Sequence, residues 1–491
     1  MFTHRLSLWI LLIAAACLRL LLAARVTGFI AVDDAYIHLR YGRQFLETGT
    51  LVYNSGEAVF GLTSPLYGWV AAAAVALAGE AAAGLLISIN VVLWTVAVAI
   101  ALQSCQPRLR LWLGALGSLA PVFVDNQFLG METSLFVLLL VLAVHGTLHD
   151  RLTLACGALG LALVTRPEAV LLAPWLLWSH CSSHGVKAGL RSLIRPARAA
   201  ILFGPGLAWV MASLAYFGHV LPQSMAAKTG WNNDHYAGLT SLRAAFEAVP
   251  RLTFLPFLDH LPVVMHLPIG LAVLGLAAAA LWLAFRSADR SARVWMGFYA
   301  ATLLFYLIGR GAIEASWYAV PPSLALAFGA GPLLARLPKR LTGSVAAWMM
   351  ALVLAGASSF AAVKRAPLLA SYEQAYGQAA NMINVRSATD ARVLVGEIGV
   401  FGWRSQHHVI DVGALVSPEV LPLKNEGVSL TQLARDLNAT HIVVSTRAME
   451  TNQYPTVGPV FDGSSDRAWF EQHCRLLGRA SNLLVFEVLP A

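Results

Sequence analysis

The run SPLYGWVAAAAVALAG, from Ser64 to Gly79, is the stretch on which the reading of this chain turns. It is apolar, but it falls short of the ~20 residues that a spanning helix needs. Pro65 opens it, and Tyr67 and Trp69 are aromatics of the kind that settle at a membrane–water boundary. We therefore read it as a helix lying on the membrane. With this run left out of the spans, the loops holding Arg108 and Arg110, Arg151, Lys187 to Arg198, Arg286 to Arg293 and Arg336 to Arg340 all fall on the side of His4 and Arg5. The opposite short loops carry few basic residues, which is the positive-inside pattern. Counting the run as a span would invert every later loop.

Working outward, the candidate spans are 7–26, 82–103, 110–125, 131–148, 152–165, 168–180, 199–217, 266–285, 293–309, 318–336 and 342–363. That is about eleven helices, several of them shorter than the ~20-residue norm. Composition agrees: 58% of the 491 residues are hydrophobic and 12% are charged. A soluble domain carries about 25% charged residues, so lipid is the main solvent for this chain. The net charge of +8 sits in short loops between apolar runs, which excludes nucleic acid as the expected partner. Cys17, Cys105, Cys156, Cys181 and Cys474 show no paired spacing, so neither a disulfide framework nor a zinc site is implied. The first apolar stretch, ending near Ala24, is nearer a true span than a signal core and reads as an uncleaved helix.

Thr165-Arg166-Pro167-Glu168 interrupts the segment 152–180. Two short helices with Arg166 and Glu168 at the outer turn keep the basic loop 180–198 on the inner side, where a single kinked helix would not. Three hydrophilic segments then share the outer side: 27–63, 218–265 and the tail from 366. The expected division is a transmembrane domain over 1–365 and a soluble α/β domain over 366–491, with β-rich runs at Val393–Val395, His441–Ser445 and Leu483–Val488.

The outer segments gather acids and bases. Asp33 and Asp34 are adjacent, just beyond the first helix, where a carboxylate is costly unless solvated or used. Asp34 is placed to cap a helix starting near Ala35, which leaves Asp33 as the favoured reactive acid, with Arg40 as its expected partner. Asp125, Glu132, Arg166, Glu168, Lys228, Asp234, His235, Arg310 and Glu314 occupy the other outer turns, and Arg19 lies near the outer end of the first helix. A mixed rim of this kind suits an anionic, hydroxyl-rich substrate. An Asp can take an acceptor hydroxyl's proton, and Arg or Lys can hold a phosphate leaving group. Paired Asp residues also suit a divalent metal, but no ligand-spacing signature is present, and no cofactor is implied. Gly396-Glu397-Ile398-Gly399-Val400-Phe401-Gly402 has GxxGxxG spacing, not that of a dinucleotide fingerprint, and reads as a turn.

Taken in order, Asp33-Asp34-Ala35-Tyr36 through Arg40-Tyr41, then Leu51-Val52-Tyr53-Asn54, then Gly61 to Leu66, resemble the first outer loop of GT-C glycosyltransferases. The similarity is closest to the arabinofuranosyltransferase B-like group. Gly130-Met131-Glu132-Thr133, Thr165 to Glu168, Tyr216-Phe217-Gly218 with Leu221, Pro222 and Lys228, and Asp411 to Gly413 with Ser417-Pro418-Glu419 resemble later motifs of that group. His38 and Phe60 depart from its pattern. The resemblance implies a polytopic helical GT-C fold, a juxtamembrane helix at 64–79, and an acid of the first loop as catalytic base. It also implies inverting transfer of a sugar from a polyprenyl-phosphate donor to a glycan, lipid or protein acceptor of the cell envelope, outside the inner membrane. The residues expected to bind substrate are Tyr36, Arg40, Glu132, Arg166, Glu168, Lys228, His235 and Arg310.

A transporter or flippase for a lipid-linked glycan is the main alternative. It would be expected to show internal repeats and broken helices at the midplane, and the sequence shows neither.

Overall fold

A computed structural model describes residues 2–193, 195–227, 266–308, 316–387, 390–454 and 458–490. Lys228, Asp234, His235, Arg310 and Glu314 lie outside the described residues.

In chain order the helices are α1 (Phe2–Leu22), α2 (Asp33–Thr48), α3 (Pro65–Ala78), α4 (Ala82–Ala101), α5 (Arg110–Leu119), α6 (Pro121–Phe128), α7 (Thr133–Leu148), α8 (Leu152–Thr165), α9 (Ala173–His184), α10 (Val186–Leu193) and α11 (Pro196–Phe217). Then come α12 (His266–Arg286), α13 (Arg290–Ile308), α14 (Val320–Gly329) and α15 (Ser344–Arg386). Every predicted span overlaps one or two of these. Five helical stretches among the described residues are long and apolar enough to cross a membrane, and the chain is a multi-pass membrane protein. The others are shorter or broken, and sequence says why. Pro121 lacks an N–H and holds Ala120 extended, which separates α5 from α6. Arg166 is extended between α8 and a 3₁₀ turn over Pro167–Leu172 that leads into α9.

The chain divides into two compact units. The helical unit takes Met1–Phe29, Ile87–Val210 and Asp234–Arg365. Within it, Arg19 is fully buried and satisfied by neutral partners: Nε donates to Ala15 O at 2.9 Å, Nη1 to Gln127 Oε1 at 2.7 Å and Nη2 to Thr95 Oγ1 at 2.8 Å. Asp125 pairs with Arg365.

The second unit takes Ile30–Leu86, Met211–Asn233 and Ala366–Ala491. The run from Ser64 to Gly79 belongs here. Pro65 starts α3 at a first-turn position, where its missing N–H costs nothing. Gly79, at φ 53°, ends it. Trp69 is 46% exposed and stacks edge-on against Phe45 of α2. Helix α2 ends on Gly49, whose left-handed backbone lets its N–H reach Phe45 O.

The sheet of this unit has the order β2-β1-β3-β5-β4, with β1 Arg392–Val395, β2 His408–Asp411, β3 His441–Ser445, β4 Cys474–Ala480 and β5 Leu483–Val488. Strands β2, β1 and β3 are parallel, and β3, β5 and β4 antiparallel. Its core includes Leu394, Ile410, Ile442, Phe470 and Phe486. The Gly396 to Gly402 run is more than a turn: it links β1 to a short helix, α16 (Gly399–Arg404).

Candidate functional site

Helix α2 begins at Asp33 itself. Val32 occupies the N-cap position and no side chain caps the helix, so the capping role expected of Asp34 is not taken up. Asp33 instead reaches across the second unit to the start of α16. Its Oδ2 accepts the Gly399 N–H at 2.8 Å and its Oδ1 the Val400 N–H at 2.7 Å. The first-turn N–H groups of a helix are unpaired donors, so this carboxylate serves as a cap from more than 360 residues away in sequence. The glycines of α16 make the approach possible. A Cβ on Gly399 would overlap the Asp33 backbone, and one on Gly402 would overlap the Tyr53 hydroxyl.

Three acids meet here. Asp33 is 8% exposed, and Asp34 beside it is half-buried. Burial pushes the Asp33 carboxyl well above the usual carboxylate range, and the charges of Glu397 and Asp34 push it further. The two backbone N–H bonds pull the other way without reversing the shift. Glu397 is raised as well, by burial first and by Asp34 after it, while the Tyr372 hydroxyl opposes. His38, one helical turn after Asp34, is buried against Tyr67 and held down to about 4 by burial, with Asp34 opposing. Tyr36 is buried, and its hydroxyl is pushed up to about 12, mainly by burial. The arrangement is a like-charge cluster with aromatic walls, and buried carboxyls raised in this way by burial and by like charges are common at functional sites.

Arg40 is not the partner of these acids. Its guanidinium is buried and spent on the unit's own framework. Nε donates to Tyr53 O at 2.9 Å, Nη1 to Gly402 O and to Ser405 O at 3.3 Å, and Nη2 to His407 O at 2.9 Å and Asn54 Oδ1 at 3.2 Å. An arginine fork filled by carbonyls fastens the first loop to the tail. Arg43, Glu80, Arg404 and Glu373 add an exposed chain of pairs at 2.6–2.9 Å, which the sequence reading did not single out. The Asp411 motif is likewise a fastener: its carboxylate accepts the N–H groups of Gly413, Leu415 and Val416.

The helical unit holds the other expected residues. Arg166, 5% exposed, lies 3.0 Å from Glu168 Oε1 and 3.5 Å from Glu132 Oε1. Tyr306 donates to Glu168 at 2.9 Å, and the guanidinium sits 4.8 Å from the Tyr318 ring. Glu132, Arg166 and Glu168 are thus brought together as an ion-pair network whose formal charge is already negative. Asp33, Asp34 and Tyr36 are brought together with Glu397, which sequence reasoning had left in a turn. Among the described residues, the group of His, Cys, Asp and Glu whose ligand atoms converge on one point is Asp150, His180 and His184, in neither of these clusters.

Residues 364–482 match a family model described as "Domain of unknown function (DUF8728)", and no curated protein matches the sequence. Solved structures match over nearly all of it. ArnT from Cupriavidus metallidurans bound to undecaprenyl phosphate has a TM-score of 0.64 at 13% identity, with 97% of each chain covered, and its apo state has a TM-score of 0.63. The apo oligosaccharyltransferase of Archaeoglobus fulgidus has a TM-score of 0.54 at 12% identity, over 90% of this chain and 70% of that one. Identities this low speak for fold alone, and the fold of this chain is that of the GT-C membrane glycosyltransferases.

Proposed function

We propose that this protein is an inverting glycosyltransferase that moves a sugar from a polyprenyl-phosphate donor to a glycan, lipid or protein acceptor of the cell envelope. The observation that carries the reading is the acid cluster of the second unit, in a chain whose fold is shared with ArnT bound to undecaprenyl phosphate. Of the two acids in the first loop, Asp33 has both oxygens committed to Gly399 and Val400. Asp34 is the more exposed, and it is our choice for the general base. In the reaction the acceptor hydroxyl gives its proton to the Asp34 carboxylate while its oxygen attacks the anomeric carbon. The bond from that carbon to the phosphate oxygen breaks through an oxocarbenium-like state, and polyprenyl phosphate leaves. A phosphate departs with little need of protonation, so its charge has to be held. Lys228 is the cation for that task, because Arg166 is already paired with two carboxylates.

The test is incubation of the purified protein with a panel of polyprenyl-phosphate sugars, a pentose donor included because of the motif likeness to the arabinofuranosyltransferase B-like group. Release of polyprenyl phosphate with a sugar on the acceptor is the expected result. Movement of an intact sugar lipid between leaflets, with no release, would replace this reading with the flippase. We place the reaction on the outer side of the inner membrane, as the loop charges argue. Protease added to intact spheroplasts should then remove the region after residue 366, and full protection of that region would reverse the topology.

A further inference from the structure

The short loop between α7 and α8 and the end of α9 hold a second constellation that the glycosyl-transfer reading does not use. Asp150, His180 and His184 each bring one ligand atom within 4.8 Å of the others. Asp150 Oδ1 is 3.7 Å from His180 Nδ1 and 3.4 Å from His184 Nε2. The histidines lie one turn apart on α9, with ring centroids 4.5 Å from each other.

The surrounding hydrogen bonds decide where the ring protons are. Ser192 Oγ donates to Gly189 O at 2.7 Å, so its proton is used, and the 2.8 Å contact with His180 Nε2 must be donated by the ring. His184 Nδ1 faces the carbonyl of His180 at 3.2 Å, and a carbonyl only accepts. In the neutral rings the remaining nitrogens, His180 Nδ1 and His184 Nε2, are then bare and face the Asp150 carboxylate at 3.7 and 3.4 Å. His180 is 3% exposed and its Nδ1 makes no hydrogen bond. Two lone pairs and a carboxylate converging in this way repel one another unless a proton or a metal ion stands between them, and three donors on one point suit the metal ion. Zinc, with ligands at ~2.0–2.1 Å in a tetrahedron, sets its ligand atoms roughly 3.3–3.4 Å apart, close to the two distances given above. The Ser192 contact is the kind of outer partner that orients a ligating histidine. Two cations lie nearby, but both are turned to carbonyls: Arg198 donates to Ser192 O and Arg290 to Ser179 O.

We propose that Asp150, His180 and His184 bind one divalent transition-metal ion, zinc by ligand chemistry, with a fourth position left to water. Asp150 and His184 are exposed, so the ion enters from the aqueous side. Bound there, it ties the α7–α8 turn to the end of α9. By the loop charges, this is the inner side of the membrane.

The experiment uses full-length protein purified in detergent without a histidine tag and stripped with chelator. It is titrated with Zn²⁺ by calorimetry and with Co²⁺ by visible ligand-field absorption. One equivalent should bind. Ser192→Ala should weaken binding about ten- to a hundredfold, and His184→Ala and Asp150→Asn each by more. Asp150→Asn preserves side-chain shape and serves as the second variant should His184→Ala fail to fold. Absence of saturable binding overturns the site. So does binding that survives His184→Ala, or that is lost instead in His149→Ala, which would assign the ion to the neighbouring His145 and His149 pair.

Discussion

The helical unit and the second unit each bury a cluster of ionisable side chains, and they assemble them by opposite rules. Around Arg166 a cation lies between two carboxylates, Glu132 and Glu168, and a tyrosine hydroxyl completes one of them. Around Asp33 the neighbours are Asp34 and Glu397, so the charges are alike. Opposite charges buried together solve a desolvation problem with the chain's own groups. Like charges buried together create one, and stability alone does not select for that. On the proposed function, the contrast separates a cluster that holds structure from the cluster in which we place the chemistry.

The largest effect should come from the like-charge cluster. Asp34→Asn should lower turnover by about 10²–10⁴ and leave donor affinity and membrane insertion as they are. A variant at matched expression with near-normal turnover would remove the chemistry from this cluster. Next comes Arg166→Ala. It leaves two buried carboxylates without their cation, so it should cost about 3–5 kcal/mol of stability, read as a fall in the thermal midpoint in detergent. If Arg166→Ala kept its stability and lost donor affinity instead, the opposite-charge cluster would be the substrate site and the contrast would invert.

Asp33→Asn should cost less. Asn presents one acceptor where Asp presents two, leaving one buried N–H of α16 unsatisfied at about 1–3 kcal/mol, with turnover reduced only as far as the fold suffers. Turnover lost as completely as in Asp34→Asn would give Asp33 the role of base. The smallest effect is one of pH. The folded Asp33 carboxyl keeps its proton above the ~3.9 of an unfolded chain. Its contribution to stability is therefore whole below that value and is lost as pH rises through the folded pKa. Thermal midpoints measured across that window should show this slope in the parent and a shallower one in Asp33→Asn, where the raised Glu397 carboxyl remains.

Much of this was legible before any coordinates. Pro65 sufficed to mark where the helix of the run 64–79 starts, because helix starts are local features, whereas Pro65–Ser104 as a whole is long and apolar enough to cross a membrane. β1, β3 and β5 were legible from β-branched runs. β4 was not, because its sequence CRLLGRA alternates poorly and is largely exposed. Asp33 and Asp34 could be found, but their roles could not be divided, since the donors that occupy Asp33 belong to Gly399 and Val400. Glu397 was hidden for the same reason. Arg40 looked like a partner for its sequence neighbours and proved to be a partner of the tail's carbonyls. The spacing of His180 and His184 is visible in the sequence as one helical turn, but nothing in the chain order links it to Asp150.

The contact from Asp33 to α16 also sets an order of manufacture. Asp33 is made early, and Gly399 and Val400 follow more than 360 residues later. At about 5–20 residues per second, the interval on the ribosome is roughly 20–70 s. During all of that time the first loop lacks the groups that fix its acids, while helix after helix is delivered to the membrane. The acid cluster is thus completed last, after the tail has emerged, and a chain released early would carry Asp33 and Asp34 without Glu397 and without the N–H groups of Gly399 and Val400. On the proposed function, a stop codon placed before Gly396 should yield a protein that inserts and has no transferase activity, and the arrival of the tail would then be the event that completes the site.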